Sequence, residues 1–187
     1  MSLFTYHDQD SAPEGSKSLL AQSQKSFGML PNLHKVLAEA PATYEAYNTT
    51  FGLFMKNTTL TPLEQQVVFM TANFENNCHY CVPGHTWMMH AAKMPEAVIT
   101  ALREGTPLPD AKVQALHDFS KALLDNRGHI GDDGLQAFLD AGYSKRQALE
   151  VLTGLAAKLI SNFTNALAHT EPDAAFKAYA WTHPSQR

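Results

Sequence analysis

The sequence predicts an all-α fold, and three observations carry that expectation. Apolar residues recur at helical spacing through most of the chain. Alternating β-branched runs bounded by hairpin turns are missing. Gly and Pro fall between the periodic segments rather than inside them, Pro83 and Gly154 excepted.

Each element follows in order. Residues 1–15 read as an N-terminal arm, draped or poorly ordered, and 16–187 as one domain. A helix is predicted over 16–27, ended by the turn Phe27-Gly28-Met29-Leu30-Pro31. A short helix over 32–40 stops before Pro41, which opens the next, to about Lys56, because proline suits a first turn. Leu60-Thr61-Pro62-Leu63-Glu64 is a start signal: Thr61 as N-cap, Pro62 at the first position, Glu64 at the third. Val67, Val68, Met70, Thr71 and Phe74 continue that helix. Further helices are predicted at 84–93, 95–104, 110–126, 132–140 and 144–168, the last with Ser144 as N-cap.

A shift of 84 residues exposes an internal repeat. Asn162-Phe-Thr-Asn165-Ala-Leu-Ala-His169-Thr170 then lies on Cys78-His-Tyr-Cys81-Val-Pro-Gly-His85-Thr86, and Val67 meets Val151, Ala72 meets Ala156. The two N-caps, Thr61 and Ser144, nearly coincide. The second copy keeps the scaffold but has asparagines where the first has cysteines.

Composition narrows the function. The chain has 187 residues, 44% hydrophobic and 17% charged, which suits one globular domain with a sizeable core. A net charge of -4 without a basic run argues against a nucleic-acid partner. The most apolar run, residues 151–160, is too short to span a membrane and carries Lys158. The N-terminus lacks the pattern of a signal peptide, so the expected compartment is the cytoplasm. There two cysteines are a poor structural staple, and their close spacing points to reactivity or metal binding.

Both cysteines lie in ENNCHYCVPGH, residues 75–85. Pro83 fits only a first helical turn, so the preceding helix breaks and a new one starts near Cys78 to Cys81. Unpaired amides and the positive end of the dipole favour a thiolate there. His85, four residues after Cys81, shares its helix face and can exchange a proton with it. Glu75, three residues before Cys78, is a candidate to orient a histidine or relay a proton. Two duller readings stand beside the redox dithiol. The cysteines could be inert core residues. They could also bind zinc with His79 or His90, although no second Cys pair exists. A thioredoxin-like site fails, because it needs a strand before the motif and this chain has helical spacing there.

Cys78-x-x-Cys81-x-x-x-His85 after Leu-Thr-Pro-x-Glu resembles the carboxymuconolactone decarboxylase superfamily in its alkyl hydroperoxidase D (AhpD)-like branch. It is similar to the subgroup described as uncharacterised peroxidase-related proteins. Gly28-Met-Leu-Pro31-Asn32, Ala40-Pro41, Asn162-x-x-Asn165 and Asp173-Ala-Ala-Phe176 extend the resemblance over residues 16–181. It implies an AhpD-like helical bundle with an internal repeat, a homo-oligomer (dimer, trimer or hexamer), and thiol-dependent reduction of peroxides. On that pattern Cys81 attacks the peroxide, Cys78 resolves, His85 serves a proton relay, and no cofactor is bound beyond an external dithiol or lipoyl-type reductant. Two departures stand out. Gln66 occupies the position of the relay glutamate, and Tyr80 that of a histidine. Glu75, or else Glu64, is expected to replace the missing carboxylate. The alternatives are a decarboxylase-type lyase that leaves the thiols idle, and a non-enzymatic redox-sensing or metal-binding oligomer.

Overall fold

The computed structural model describes residues 3–187, and no strand occurs among them. Nine α-helices follow one another: α1 (Glu14–Phe27), α2 (Asn32–Leu37), α3 (Pro41–Asn57), α4 (Pro62–Glu75), α5 (Cys81–Ala91), α6 (Glu96–Glu104), α7 (Ala111–Asp125), α8 (Gly131–Asp140) and α9 (Lys145–Ala168). Two short 3-10 segments, Ala174–Tyr179 and Pro184–Gln186, close the chain. The helices fall on the periodic segments to within three residues at each end, α2 stopping at Leu37 and α5 starting at Cys81, and the all-α expectation holds.

Local chemistry sets the ends. Thr61 and Ser144 each form a full capping box, with Glu64 and Gln147 at the third position. Gly28 ends α1 in the left-handed region at φ 70°. Helix α1 starts at Glu14, two residues earlier than the spacing indicates, directly after Pro13. The residues before it lie against α2: the His7 amide donates to Lys35 O at 3.1 Å, and its Nε2 meets Glu39 at 2.7 Å.

Helix α4 is the central element. Its residues from Glu64 to Asn73 are all buried, and α5, α6, α7 and α9 pack around it. Gln65 uses its buried amide to donate to the carbonyls of Phe54 and Met55, satisfying the C-terminal end of α3. Gly154, the glycine inside α9, marks a close approach. A Cβ there would lie 2.7 Å from the Phe54 ring and 3.0 Å from Val68. The missing side chain lets α9 settle onto α3 and α4.

The predicted break between α4 and α5 is real. Asn76 caps α4, and Asn77 turns the chain at φ 48°. Pro83 falls at the third position of α5, where its missing N–H leaves no helical acceptor unused. In the second half of the chain the corresponding stretch is unbroken, and α9 runs for 24 residues. Among the described residues no helix is long and apolar enough to cross a membrane.

Candidate functional site

The dithiol lies where two hydrophobic clusters meet. Cys78, Tyr80 and Cys81 belong to the cluster around α1–α3, while Val82 belongs to the larger core around α4. Both thiols are free and buried. Cys81 opens α5, and its backbone N–H donates to Cys78 Sγ at 3.3 Å, so that sulfur takes the place of a capping oxygen.

Helix α9 closes the other side. Asn165, the repeat counterpart of Cys81, donates from Nδ2 to Cys81 Sγ at 3.3 Å and lies 3.9 Å from Cys78 Sγ. Asn162, the counterpart of Cys78, joins an amide chain with Asn73 (2.9 Å) and Asn76 (3.0 Å). The two copies of the repeat therefore face each other across the site, one supplying thiols and the other amides.

Lys158 is the residue that sequence reasoning missed as a functional group. It is 1% exposed, and its Nζ lies 2.7 Å from His85 Nε2 and 5.0 Å above the Phe69 ring centre. An ammonium can only donate, so His85 Nε2 accepts. The ring proton then sits on Nδ1, which donates to Gln66 Oε1 at 2.8 Å. Gln66 thus fixes the tautomer of His85, a task that needs no carboxylate. The available signal was one cation isolated in an apolar run, at residues 151–160.

These contacts set the charges. Burial opposes ionisation of Cys81, but the hydrogen bond from Cys78, the charge of Lys158 and the amides of Asn162 and Asn165 outweigh it. The thiol is drawn from the usual 9.0 down to about 6. Cys78 is pushed up by its hydrogen bond to Cys81, then by burial and the Cys81 charge. Lys158 is pushed down by burial, against the pull of Cys81 and Cys78. His85 falls well below its ordinary value through burial and the adjacent Lys158. These influences favour charge on Cys81 over Cys78 and keep His85 neutral, with Lys158 as the cationic partner that draws the Cys81 thiol down.

A narrow pocket reaches this cluster. Cys81, His85 and Lys158 line it and Cys78 does not; its walls are largely aromatic, from Phe27, Tyr47, Phe51, Tyr80, Trp87 and Phe176. The free volume is about 50 Å³, several times what one water requires. Phe176 reaches the pocket because the 3-10 segment carrying it is pinned nearby. Asp173 accepts from Tyr80 OH and from the Asn32 backbone N–H, and Gly84 leaves room for the ring, 3.3 Å from where a Cβ would stand. Tyr80 is thus a wall of the site.

Of the residues singled out in the sequence, the structure brings Cys78, Cys81 and His85 together. Glu75 lies apart from them in its contacts, with Oε2 2.6 Å from Lys121 Nζ. Glu64 serves its capping box and lies 3.8 Å from Lys112. His79 Nε2 meets Thr170 O at 3.0 Å, and His90 faces Glu96 at 3.5 Å. Among the described residues no group of three or more His, Cys, Asp or Glu is placed to hold a metal ion.

Solved structures share this arrangement of helices. An alkylhydroperoxidase AhpD core, an uncharacterized peroxidase-related protein from Ralstonia eutropha JMP134, superposes with a TM-score of 0.83 at 18% identity, covering 94% of each chain. The fold is that of the AhpD core. A peroxidase-related protein from Silicibacter sp. TM1040 matches at a TM-score of 0.77 and 19% identity, over 93% of this chain and 94% of that one. The debrominase Bmp8, in a cysteine-to-alanine form complexed with 2,3,4-tribromopyrrole, matches at 0.78 and 17% identity over 95% of each chain. No family model and no curated protein matches the sequence. The AhpD-like fold is therefore established by shape.

Proposed function

We propose that the protein reduces small peroxides through a Cys78–Cys81 dithiol/disulfide cycle. The observation that carries this reading is that Cys81, and not Cys78, opens onto the pocket beside a buried cation. The Cys81 thiolate attacks the terminal peroxide oxygen, the O–O bond breaks, and Cys81 becomes a sulfenic acid. Cys78, still a thiol and already hydrogen-bonded to Cys81, condenses with it, forming the disulfide and releasing water. An external dithiol of the lipoyl type then restores both thiols. No bound cofactor enters this cycle, and a reducing compartment such as the cytoplasm keeps the resting thiols free. The pocket's size favours hydrogen peroxide and short alkyl hydroperoxides.

The test is a titration. Reduced protein is treated with one equivalent of ethyl hydroperoxide and its thiols are counted. Loss of both, reversed by dihydrolipoamide and abolished in Cys81→Ser, supports the reading; thiols that survive the peroxide refute it. The aromatic walls and the fold shared with a debrominase favour one second reading, reductive dehalogenation of a small aromatic ring. Release of bromide from a bromopyrrole, with no reaction toward peroxide, would select it.

The protein is also proposed to act as a homo-oligomer through α9. Leu149, Leu152, Leu159, Phe163 and Leu167 stand 46–71% exposed along one face of that helix. At 1.5 Å per residue they extend over about 27 Å, a continuous apolar stripe of the kind that marks contact surfaces. Small Ala156 lies near its middle, Lys145 at one end and Glu171 beyond the other. An antiparallel pairing with a second copy brings those opposite charges together.

A further inference from the structure

We propose that Lys158 is the acid that protonates the leaving oxygen, so that the proton relay runs through a lysine rather than a carboxylate. The inference rests on the peroxide-reducing reading above and assigns a catalytic residue within it.

Elimination supports it first. The alkoxide expelled when the O–O bond breaks must collect a proton inside the pocket. The titratable side chains lining that pocket are Cys81, His85, Lys158, His34, Tyr47 and Tyr80. Cys81 is the nucleophile. His85 has its one ring proton on Nδ1, bound to Gln66, and presents only a lone pair at Nε2. Buried His34 is drawn down to about 4 and carries no labile proton near neutrality. Burial pushes both tyrosines up, and the Tyr80 hydroxyl also has its proton committed to a hydrogen bond with Asp173. Cys78 does not line the pocket. Lys158 alone combines a transferable proton with a place on the wall.

Charge conservation supports it independently. Among the described residues no carboxylate contacts Lys158; the groups around it are Cys81 and Cys78, neutral His85 and the Phe69 ring. Before reaction the buried charges are one thiolate and one ammonium. In the step, Cys81 sulfur forms a bond to the terminal oxygen, the O–O bond breaks, and the departing alkoxide takes a proton from Nζ. The products are Cys81–SOH, an alcohol and a neutral amine. Condensation with Cys78–SH releases water and leaves a neutral disulfide beside that amine. Reduction by an external dithiol returns one proton to Lys158 and one to Cys78, as Cys81 regains its negative charge. At no stage does the apolar pocket hold an uncompensated charge, a state that costs several kcal/mol in such surroundings. His85 is the positioning residue that aims Nζ, and Gln66 holds His85.

Leaving-group dependence tests the assignment. A peracid expels a carboxylate that needs no proton, whereas an alkyl hydroperoxide expels an alkoxide that does. Rates with peracetic acid and with ethyl hydroperoxide are compared for wild type, Lys158→Met and Lys158→Arg, at a pH where iodoacetamide shows Cys81 equally ionised. The expected result is a loss of about 100-fold with ethyl hydroperoxide and a much smaller loss with peracetic acid. Lys158→Arg keeps the cation but holds its protons too tightly to give one up, so it serves if Lys158→Met fails to fold. Equal losses with both oxidants overturn the inference while leaving peroxide reduction in place. Failure of wild type to consume either oxidant overturns the reading on which it rests.

Discussion

Lys158 Nζ and His85 Nε2 lie 2.7 Å apart in the protein interior, although 73 residues separate them in the chain. That contact makes His85 an acceptor, places its proton against Gln66, and leaves the lysine as the cation facing Cys81. It predicts the effect of restoring a carboxylate at position 66. In Gln66→Glu the new anion opposes ionisation of Cys81 and competes for the lysine's charge. Alkylation of Cys81 by iodoacetamide at pH 6.5 is expected to slow several-fold. A faster reaction would show that the glutamine is a deficit and not a tautomer lock.

How much of this was legible in the sequence depended on the reach of the interactions. Thr61 and Ser144 announced their helices because a capping box spans four residues. Pro83 announced the break before α5 because its constraint is local. The 84-residue shift placed Asn165 on Cys81, and the structure makes those two residues hydrogen-bonded partners. Lys158 escaped notice because its meaning comes from a contact across the whole bundle. Glu75 shows the same limit: the partner that takes its carboxylate, Lys121, is 46 residues away. The 3-10 segment at Ala174–Tyr179 has no helical period to betray it; Tyr80 and Asn32 hold it through Asp173.

The charge pattern predicts a pH response. The folded Cys81 thiol ionises at about 6 against 9.0 when unfolded, so between those values the unfolded chain binds more protons. The thiolate's stabilisation is complete above pH 9 and is lost as the pH falls through about 6. The melting temperature of the reduced protein should therefore rise from pH 6 to 8.5. In Lys158→Met this contribution shrinks, because the buried thiol loses the cation that helps draw it down and ionises at a higher pH. Equal slopes in the two proteins would contradict the charge assignment.

Gly154 carries a packing prediction. An exposed helical glycine changed to a larger residue usually gains stability. Here the added atoms meet Phe54 and Val68, and Gly154→Val is expected to cost about 1–3 kcal/mol. Thermal unfolding should fall by roughly 2–4 °C per kcal/mol for a chain of this size. An unchanged midpoint would show that α9 does not need the close approach.

Phe176 limits the pocket. Phe176→Leu should widen it and raise kcat/KM for cumene hydroperoxide relative to hydrogen peroxide by several-fold, measured by thiol-coupled peroxide consumption. An unchanged ratio would place the size limit elsewhere.

The outer face of α9 makes its own prediction. Leu159→Glu combined with Phe163→Glu should leave a folded monomer by sedimentation velocity, where wild type sediments as an oligomer. A monomeric wild type would contradict the proposed pairing.

The most direct test of the central claim is to trap the first intermediate. In Cys78→Ser the sulfenic acid has no thiol to condense with, so one equivalent of ethyl hydroperoxide in the presence of dimedone should label the protein once. Peptide mass spectrometry is expected to find that label on Cys81, formed far faster than on free cysteine at pH 7. An unlabelled Cys81, or one no faster than free cysteine, would contradict the account.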